Sequence, residues 1–265
     1  MPAASLFSRR CPIIGCVHLP PLPGAPLYDG DIERVYETAF AEAKILAGAG
    51  IDGLIVENFH DTPFYPDSVP AETVAALSVI ARQIAKAFNI PLGVNVLRND
   101  AHAAVAIAVA AGAAFVRINI HMGAVVSEQG LILGKSHETL RLRAALKSRA
   151  LIFADIGVKH AAPLVDRGLA TDAIDAQQRG LADALIVSGT RTGQATDPGA
   201  IEAVKSASSL PVYIGSGITA DNLPDYAGKI DGAIVGSYFK QDGKAANPVD
   251  PARVAALMAA ARKLA

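Results

Sequence analysis

The chain contains no tryptophan, only two cysteines and three methionines, and aromatic residues make up 5% of its 265 positions. Cys11 and Cys16 are too few, and too close together, to staple a fold of this length. They read as reduced packing residues, which points to a cytoplasmic protein. Charge of one sign is also missing. The formal net charge is −1 and the sequence pI is about 6.6, so no basic surplus draws a polyanion and nucleic acid is not an expected partner. Long apolar runs are absent as well. The longest, AAVAIAVAAGAAFV at 103–116, falls short of the roughly 20 residues a membrane helix needs and carries a glycine. No integral membrane segment is expected, and MPAASLFSRRC at the start lacks the apolar core of a secretory signal.

Several chemical signatures are missing too. HLPPLPG after the first strand-like run offers no G-x-G-x-x-G, so no nucleotide cofactor is expected. There is no His-Glu-x-x-His, no paired Cys-x-x-Cys and no G-x-S-x-G. No lysine lies within the strand-like runs to form a Schiff base. Lys159, three residues past the fifth run, comes nearest.

What is present is an alternation. Eight β-rich runs, at 12–18, 52–58, 91–97, 113–121, 150–156, 182–189, 211–217 and 231–237, are separated by helical stretches at about 31–49, 70–88, 100–111, 137–148, 171–180, 198–208, 220–228 and 251–264. Asp197-Pro198 and Asp250-Pro251 are helix starts. Strict alternation argues for a parallel sheet, and eight units in a chain of this length predict a single (β/α)₈ barrel domain over 1–265, with 1–11 as an N-terminal extension. A doubly wound open sheet is the rival. Helix-to-strand connections are brief, whereas strand-to-helix connections such as LPPLPGAPLYDG and MGAVVSEQGLILGKS are long. Length placed on that face marks the working end of a barrel.

Side chains two apart on a strand share a face. In RINIH at 117–121, Arg117, Asn119 and His121 therefore point one way while Ile118 and Ile120 point the other. The same register aims His18, Glu57, Asn95, Asp155 and Ser188 at the same mouth. A buried Arg117 needs a carboxylate partner, and Glu57 or Asp155 can supply it. The catalytic candidates are Glu57, Asp155, His121, His18 and Arg117, and Asn58, Asn95, Asn119, Lys159, Ser188, Thr190 and Thr192 are the ligand-binding ones. Whether a divalent ion joins them stays open, with Glu57, Asp155 or His121 as its holders. GSGITADN at 215–222 ends the seventh run in glycines and leads into a helix capped by Thr219, so backbone N–H groups converge there. Gly215, Ser216, Gly217, Gly236 and Ser237 are the expected phosphate seat, at the strand ends where barrels hold phosphate. A glycine turn alone would be only a tight turn.

At this point the chain resembles the BtpA family, which includes the SgcQ-like proteins. The resemblance rests on PIIGCVHLPPLPGAPLY, DGLIVENFHDTPF, GVNVLRNDAHAA, FVRINIHMGAVVSEQGLILG, VKHAAPL, ADALIVSGTRTGQATDP, PVYIGSGITADNL and DGAIVGSYFKQDGKAANPVD, and it runs from Pro12 to Val254. It implies a ribulose-phosphate-binding type of barrel. The family takes its name from a factor needed for photosystem I accumulation in cyanobacteria, and its SgcQ-like members accompany sugar-uptake genes. Met122 stands where the family pattern HTGAxVTDQG has a hydroxyl, which leaves in doubt any ligand contact that hydroxyl makes.

Two functions follow. The first is an isomerase or lyase acting by proton transfer on a phosphorylated small molecule, a sugar phosphate or a nucleoside-like compound. The second is a non-catalytic assembly or stability factor that keeps the barrel. Oligomeric state stays open, a homo-oligomer among the outcomes.

Overall fold

In the computed structural model, which describes residues 3–189 and 193–263, the eight strand-like runs become the staves of one closed parallel barrel. The chain order is β1 (Ile13–His18), α1 (Ile32–Gly48), β2 (Gly53–Glu57), α2 (Ala71–Ala87), β3 (Leu92–Asn95), α3 (Ala101–Ala111), β4 (Phe115–Ile118), β5 (Ala124–Ser127), β6 (Gly130–Leu133), α4 (Ser136–Ala145), β7 (Leu151–Ile156), β8 (Ala161–Pro163), α5 (Leu169–Gln178), β9 (Ala184–Val187), α6 (Pro198–Ala207), β10 (Val212–Ile214), β11 (Gly232–Val235) and α7 (Pro251–Arg262). The barrel closes in the order β1, β11, β10, β9, β7, β4, β3, β2.

The helices start where the side-chain chemistry allows. Asp31, Asp100, Asp197 and Asp250 each accept a hydrogen bond from a backbone N–H in the first turn that follows. Asp197 and Asp250 are followed by a proline in that turn, which has no N–H to leave unpaired. No helix among the described residues is long and apolar enough to cross a membrane.

Alternation along each stave sorts the side chains into two cores. Outward residues such as Val17, Leu54, Val56, Val94, Val116 and Ile152 pack against the helices. Inward residues, Ile14, Ile55, Phe115, Leu151, Phe153, Ile186, Tyr213 and Ile234, fill the barrel floor. Rings fit there because glycines stand beside them: a Cβ at Gly93 would lie 2.3 Å from Phe115, and one at Gly232 would lie 2.3 Å from Tyr213. The N-terminal segment completes the floor. Phe7 is buried, with its ring 6.3 Å from Phe115 and 6.5 Å from Tyr213.

Two expectations change. The stretch 220–228 is not an α-helix: only Leu223–Tyr226 coils, as one 3₁₀ turn. Pro224 inside it and Gly228 just beyond it, with φ of +72°, leave no room for regular turns. Thr219 still behaves as a cap, its hydroxyl accepting from the Asn222 N–H while the Asn222 amide oxygen accepts from the Thr219 N–H. The long connection after β4 is not a simple loop either. It folds into the hairpin β5–β6, and β8 from the connection after β7 pairs with β5 to make a three-stranded antiparallel sheet.

Candidate functional site

The site is built by strand register. His18 on β1 pairs with Glu57 on β2, Glu57 with Asn95 on β3, and Asn95 with Arg117 on β4. Paired residues in a parallel sheet project to the same side, so four polar side chains form one tier above the aromatic floor. All four are buried.

Arg117 organises this tier. Its Nε and one terminal nitrogen each donate to a different oxygen of Asp155, both at 2.9 Å, and its other terminal nitrogen reaches Glu57 Oε1 at 3.4 Å. Such a fork is the strong form of an ion pair. Asn119 donates to Asp155 at 3.0 Å, and Asn95 donates to the Asn119 amide oxygen at 3.1 Å and to the Arg117 carbonyl. Burial acts against the charge on Arg117, but Asp155 and Glu57 outweigh it and hold the guanidinium protonated. Glu57 has the weaker hold. Burial pushes its carboxyl above the usual range, against the opposing pull of Arg117 and Lys159.

Two cavities lie on either side of the Arg117–Asp155 pair. The first, of about 180 Å³, is lined by Cys16, His18, Glu57, Phe59, Arg117 and Lys159 on one side and by Gly215, Ser216, Gly217, Gly236 and Ser237 on the other. Every residue expected in the phosphate seat is there, beside the charged tier. The second, of about 480 Å³, is lined by Asp155, Asn119, His121, Ser188 and the sheet residues Ala124 and Val125. Ser188 belongs to this second space, where its Oγ packs so close to Gly215 that a Cβ there would lie 2.4 Å away.

Two candidates sit differently from the sequence reading. His121 does not join Glu57. Once β4 ends at Ile118 the pleat no longer dictates direction, and His121 Nε2 turns to the Gly180 carbonyl at 2.7 Å. Burial pushes its imidazole below the usual range. Asn58 is bound up in bracing, accepting from the Leu97 N–H at 2.6 Å and donating to the Leu97 carbonyl and Asp61. The proline-rich stretch after β1 lines neither cavity and is pinned by the Leu22 N–H donating to Asp61 at 2.8 Å. Thr190 and Thr192 lie outside the described residues. Met122, the departure from the family pattern, borders the second cavity.

The sequence reading also missed residues. Cys16 packs in the inner core as expected, and it also lines the first cavity with His18 and Glu57. Lys159, by contrast, is a ligand-binding candidate from the sequence, and it does reach this cavity, from the connection after β7 and not from a strand. Its carbonyl accepts from Arg98, which also pairs with Glu128 on the hairpin at 3.3 Å. Burial, then the Arg117 cation, pushes the Lys159 amine below the usual lysine range. Phe59 stacks on the His18 ring at 4.2 Å, and Arg253 on α7 lies over Tyr238 at the cavity's far wall. The sequence signal that picked out Lys159 was its nearness to a strand end. Arg253 gave none.

An arrangement of a buried carboxyl, a guanidinium, a lysine and glycine-lined backbone around one small space can bind an anion and move a proton beside it. Comparison with solved structures gives the same barrel. N-(5'-phosphoribosyl)anthranilate isomerase from Pyrococcus furiosus superposes with a TM-score of 0.60 at 14% identity, covering 96% of this chain and 99% of that one. Thiamine phosphate pyrophosphorylase from Pyrococcus furiosus gives 0.59 at 12%, covering 96% and 97%. Among relatives, an uncharacterised protein of Thermococcus kodakarensis is 46% identical over 97% of both chains. The photosystem I biogenesis protein BtpA of Synechocystis is 43% identical over 96% of this chain and 89% of its own. The sequence pattern of the BtpA family matches residues 9–263, and the chain belongs to that family.

Proposed function

We propose that this protein is an enzyme that acts on a phosphorylated small molecule, a sugar phosphate or a nucleoside-like compound, by acid–base chemistry of the isomerase or lyase type. One observation carries the reading: the charged tier and the glycine-lined ends of β10 and β11 face each other across a single cavity.

In this reading the phosphate rests against Gly215–Gly217 and Gly236–Ser237, with backbone N–H groups of the turn beyond Gly215 as its donors, since the Gly215 N–H is taken by the Val187 carbonyl at 2.8 Å. The rest of the ligand then extends toward Glu57 and Lys159. Glu57 is the proton acceptor, since burial has already made its carboxyl more basic. Arg117 and Lys159 supply positive charge where an oxygen of the ligand becomes negative. Asp155 has a holding role in this reading. Its two oxygens are engaged by Arg117, and its task is to hold the guanidinium in place. The two solved neighbours bear phosphorylated compounds in their names, which agrees with an anion seat at these strand ends.

The test is a panel of phosphorylated sugars and nucleosides incubated with the protein in deuterated water, with hydrogen exchange at carbon followed by NMR. Exchange or conversion that Glu57→Gln abolishes, while the variant stays folded, is the expected result. No exchange and no ligand-induced thermal shift across the panel would overturn it. A second reading, a non-catalytic assembly factor, is favoured by the 43% identity to a photosystem I biogenesis protein. It predicts that Glu57→Gln leaves the cellular role intact.

A further inference from the structure

The floor of the first cavity holds an arrangement that acid–base chemistry does not require. Cys16 and His18 are two apart on β1 and share its inward face, and Glu57 is the strand partner of His18 on β2. One donor atom from each, the Cys16 thiol, a His18 ring nitrogen and a Glu57 carboxylate oxygen, lies within 4.8 Å of the other two, and all three residues are buried. We propose that Cys16, His18 and Glu57 bind one divalent transition-metal ion of the zinc type, leaving its fourth position open to the cavity.

The geometry supports three ligands rather than a simple buried pair. His18 Nε2 stands 3.7 Å from Glu57 Oε2, too far for a hydrogen bond. Two donors at about 2.1 Å from one tetrahedral ion are roughly 3.4 Å apart, so the His18–Glu57 pair is within a few tenths of an ångström of that spacing, and the Cys16 sulfur, within 4.8 Å of both, closes the rest by a side-chain adjustment. The other Glu57 oxygen faces Arg117 at 3.4 Å, which fixes the carboxylate with Oε2 free. Phe59 stacks flat on the imidazole, 13° from parallel. Gly236 adds no side chain against the ring, since a Cβ there would lie 2.9 Å from Nε2, and the Ala245 backbone that pairs with the imidazole is the contact an ion would displace. Thiolate, imidazole and carboxylate together suit zinc or its neighbours and not magnesium or calcium, which prefer oxygen throughout. Two anionic ligands balance the ion's charge, and Arg117 and Lys159 remain to meet a phosphate.

This inference deepens the proposed function, because the open position would face the phosphate seat. With the ion bound, Glu57 is a ligand and no longer the proton acceptor assigned to it above, and that role passes to Lys159, which lines the same cavity. The experiment needs no substrate. The full-length protein, stripped with a chelator, is titrated with Co²⁺ and followed by absorption. The expected result is one Co²⁺ per chain, with a thiolate-to-cobalt charge-transfer band and intense visible bands of a four-coordinate ion, all displaced by Zn²⁺. Cys11→Ser keeps the bands, Cys16→Ser loses the charge-transfer band, and His18→Gln weakens binding by at least about tenfold, the scale on which even outer partners of a metal act. No charge-transfer band in the unsubstituted protein, or a band that survives Cys16→Ser, overturns the site. Should Cys16→Ser fail to fold, the same decision falls to His18→Gln, where unchanged affinity is the overturning result. Loss of the ion alone leaves Glu57 free as the base. An ion without turnover sinks the acid–base reading alone.

Discussion

Arg117 and Asp155 form the wall between the two cavities: the guanidinium faces the smaller space, the carboxylate faces the larger, and two 2.9 Å hydrogen bonds join them. Removing one member leaves the other charged and unpaired in the interior. Arg117→Met should cost about 3–5 kcal/mol of stability, read from urea unfolding. Arg117→Lys should recover little, since an ammonium cannot make the parallel fork. The double variant Arg117→Met/Asp155→Leu should be more stable than Arg117→Met alone. If the single variant unfolds at the same urea concentration as the parent, the wall is not an ion pair in solution.

Inorganic phosphate tests the seat directly. At a hundredfold excess over its dissociation constant it should stabilise the native chain by about 2.7 kcal/mol, seen as a rise in Tm. Gly217 has φ of +77°, and a Cβ there would fall 2.1 Å from the Gln194 carbonyl oxygen. Gly217→Ala must therefore displace this loop, and the phosphate-dependent rise should vanish. A rise equal to that of the parent would remove Gly217 from the seat.

Acid should destabilise the protein partly through His121. Burial holds its imidazole neutral in the fold, with the Gly180 carbonyl and Asp183 favouring the proton and Arg143 opposing it. The unfolded chain takes up a proton near its ordinary value of about 6.5. Below that value the unfolded state binds more protons, so stability is present above it and is lost as pH falls toward the depressed folded value. His121→Gln keeps an N–H for the Gly180 carbonyl and removes the titration. Its unfolding free energy should fall less steeply between about pH 7 and pH 5, by up to one proton's worth, roughly 1.4 kcal/mol per pH unit. His18, also held below its usual range by burial, keeps part of the slope in the variant. Identical slopes in parent and variant would refute the assignment.

The N-terminal plug is a separate matter of packing. Phe7 closes the barrel floor at the end opposite the cavities, against Phe115 and Tyr213. Phe7→Ala should cost about 3 kcal/mol or more while leaving the phosphate-dependent rise in Tm intact. A change confined to ligand response, with no loss of stability, would contradict this placement.

Much of this protein was legible before folding. The eight staves, the inward direction of His18, Glu57, Asn95 and Arg117, and the glycine-rich ends of β10 and β11 follow from local rules, because the pleat alternates with a period of two and buried parallel strands carry continuous apolar runs. That reasoning stops where the strand stops. His121 lies three residues beyond the end of β4, and its direction is set by Gly180, a residue 59 positions away. The hairpin over the mouth escaped notice because its partner strand β8 comes from a different connection.

The amino-acid order by itself determined that a barrel would form and which residues would ring its upper tier, since both depend on short-range periodicity and on apolar burial. Only closure of the sheet decided who meets whom. It gave Asp155, not Glu57, the fork of Arg117, brought Lys159 in from a loop, and set Cys16 beside His18 and Glu57 under a glycine-lined roof. Cys16 and His18 share a face by the pleat alone, but the meetings with Asp155, Lys159 and the glycine-lined ends of β10 and β11 depend on distances between staves far apart in sequence, which no local rule contains.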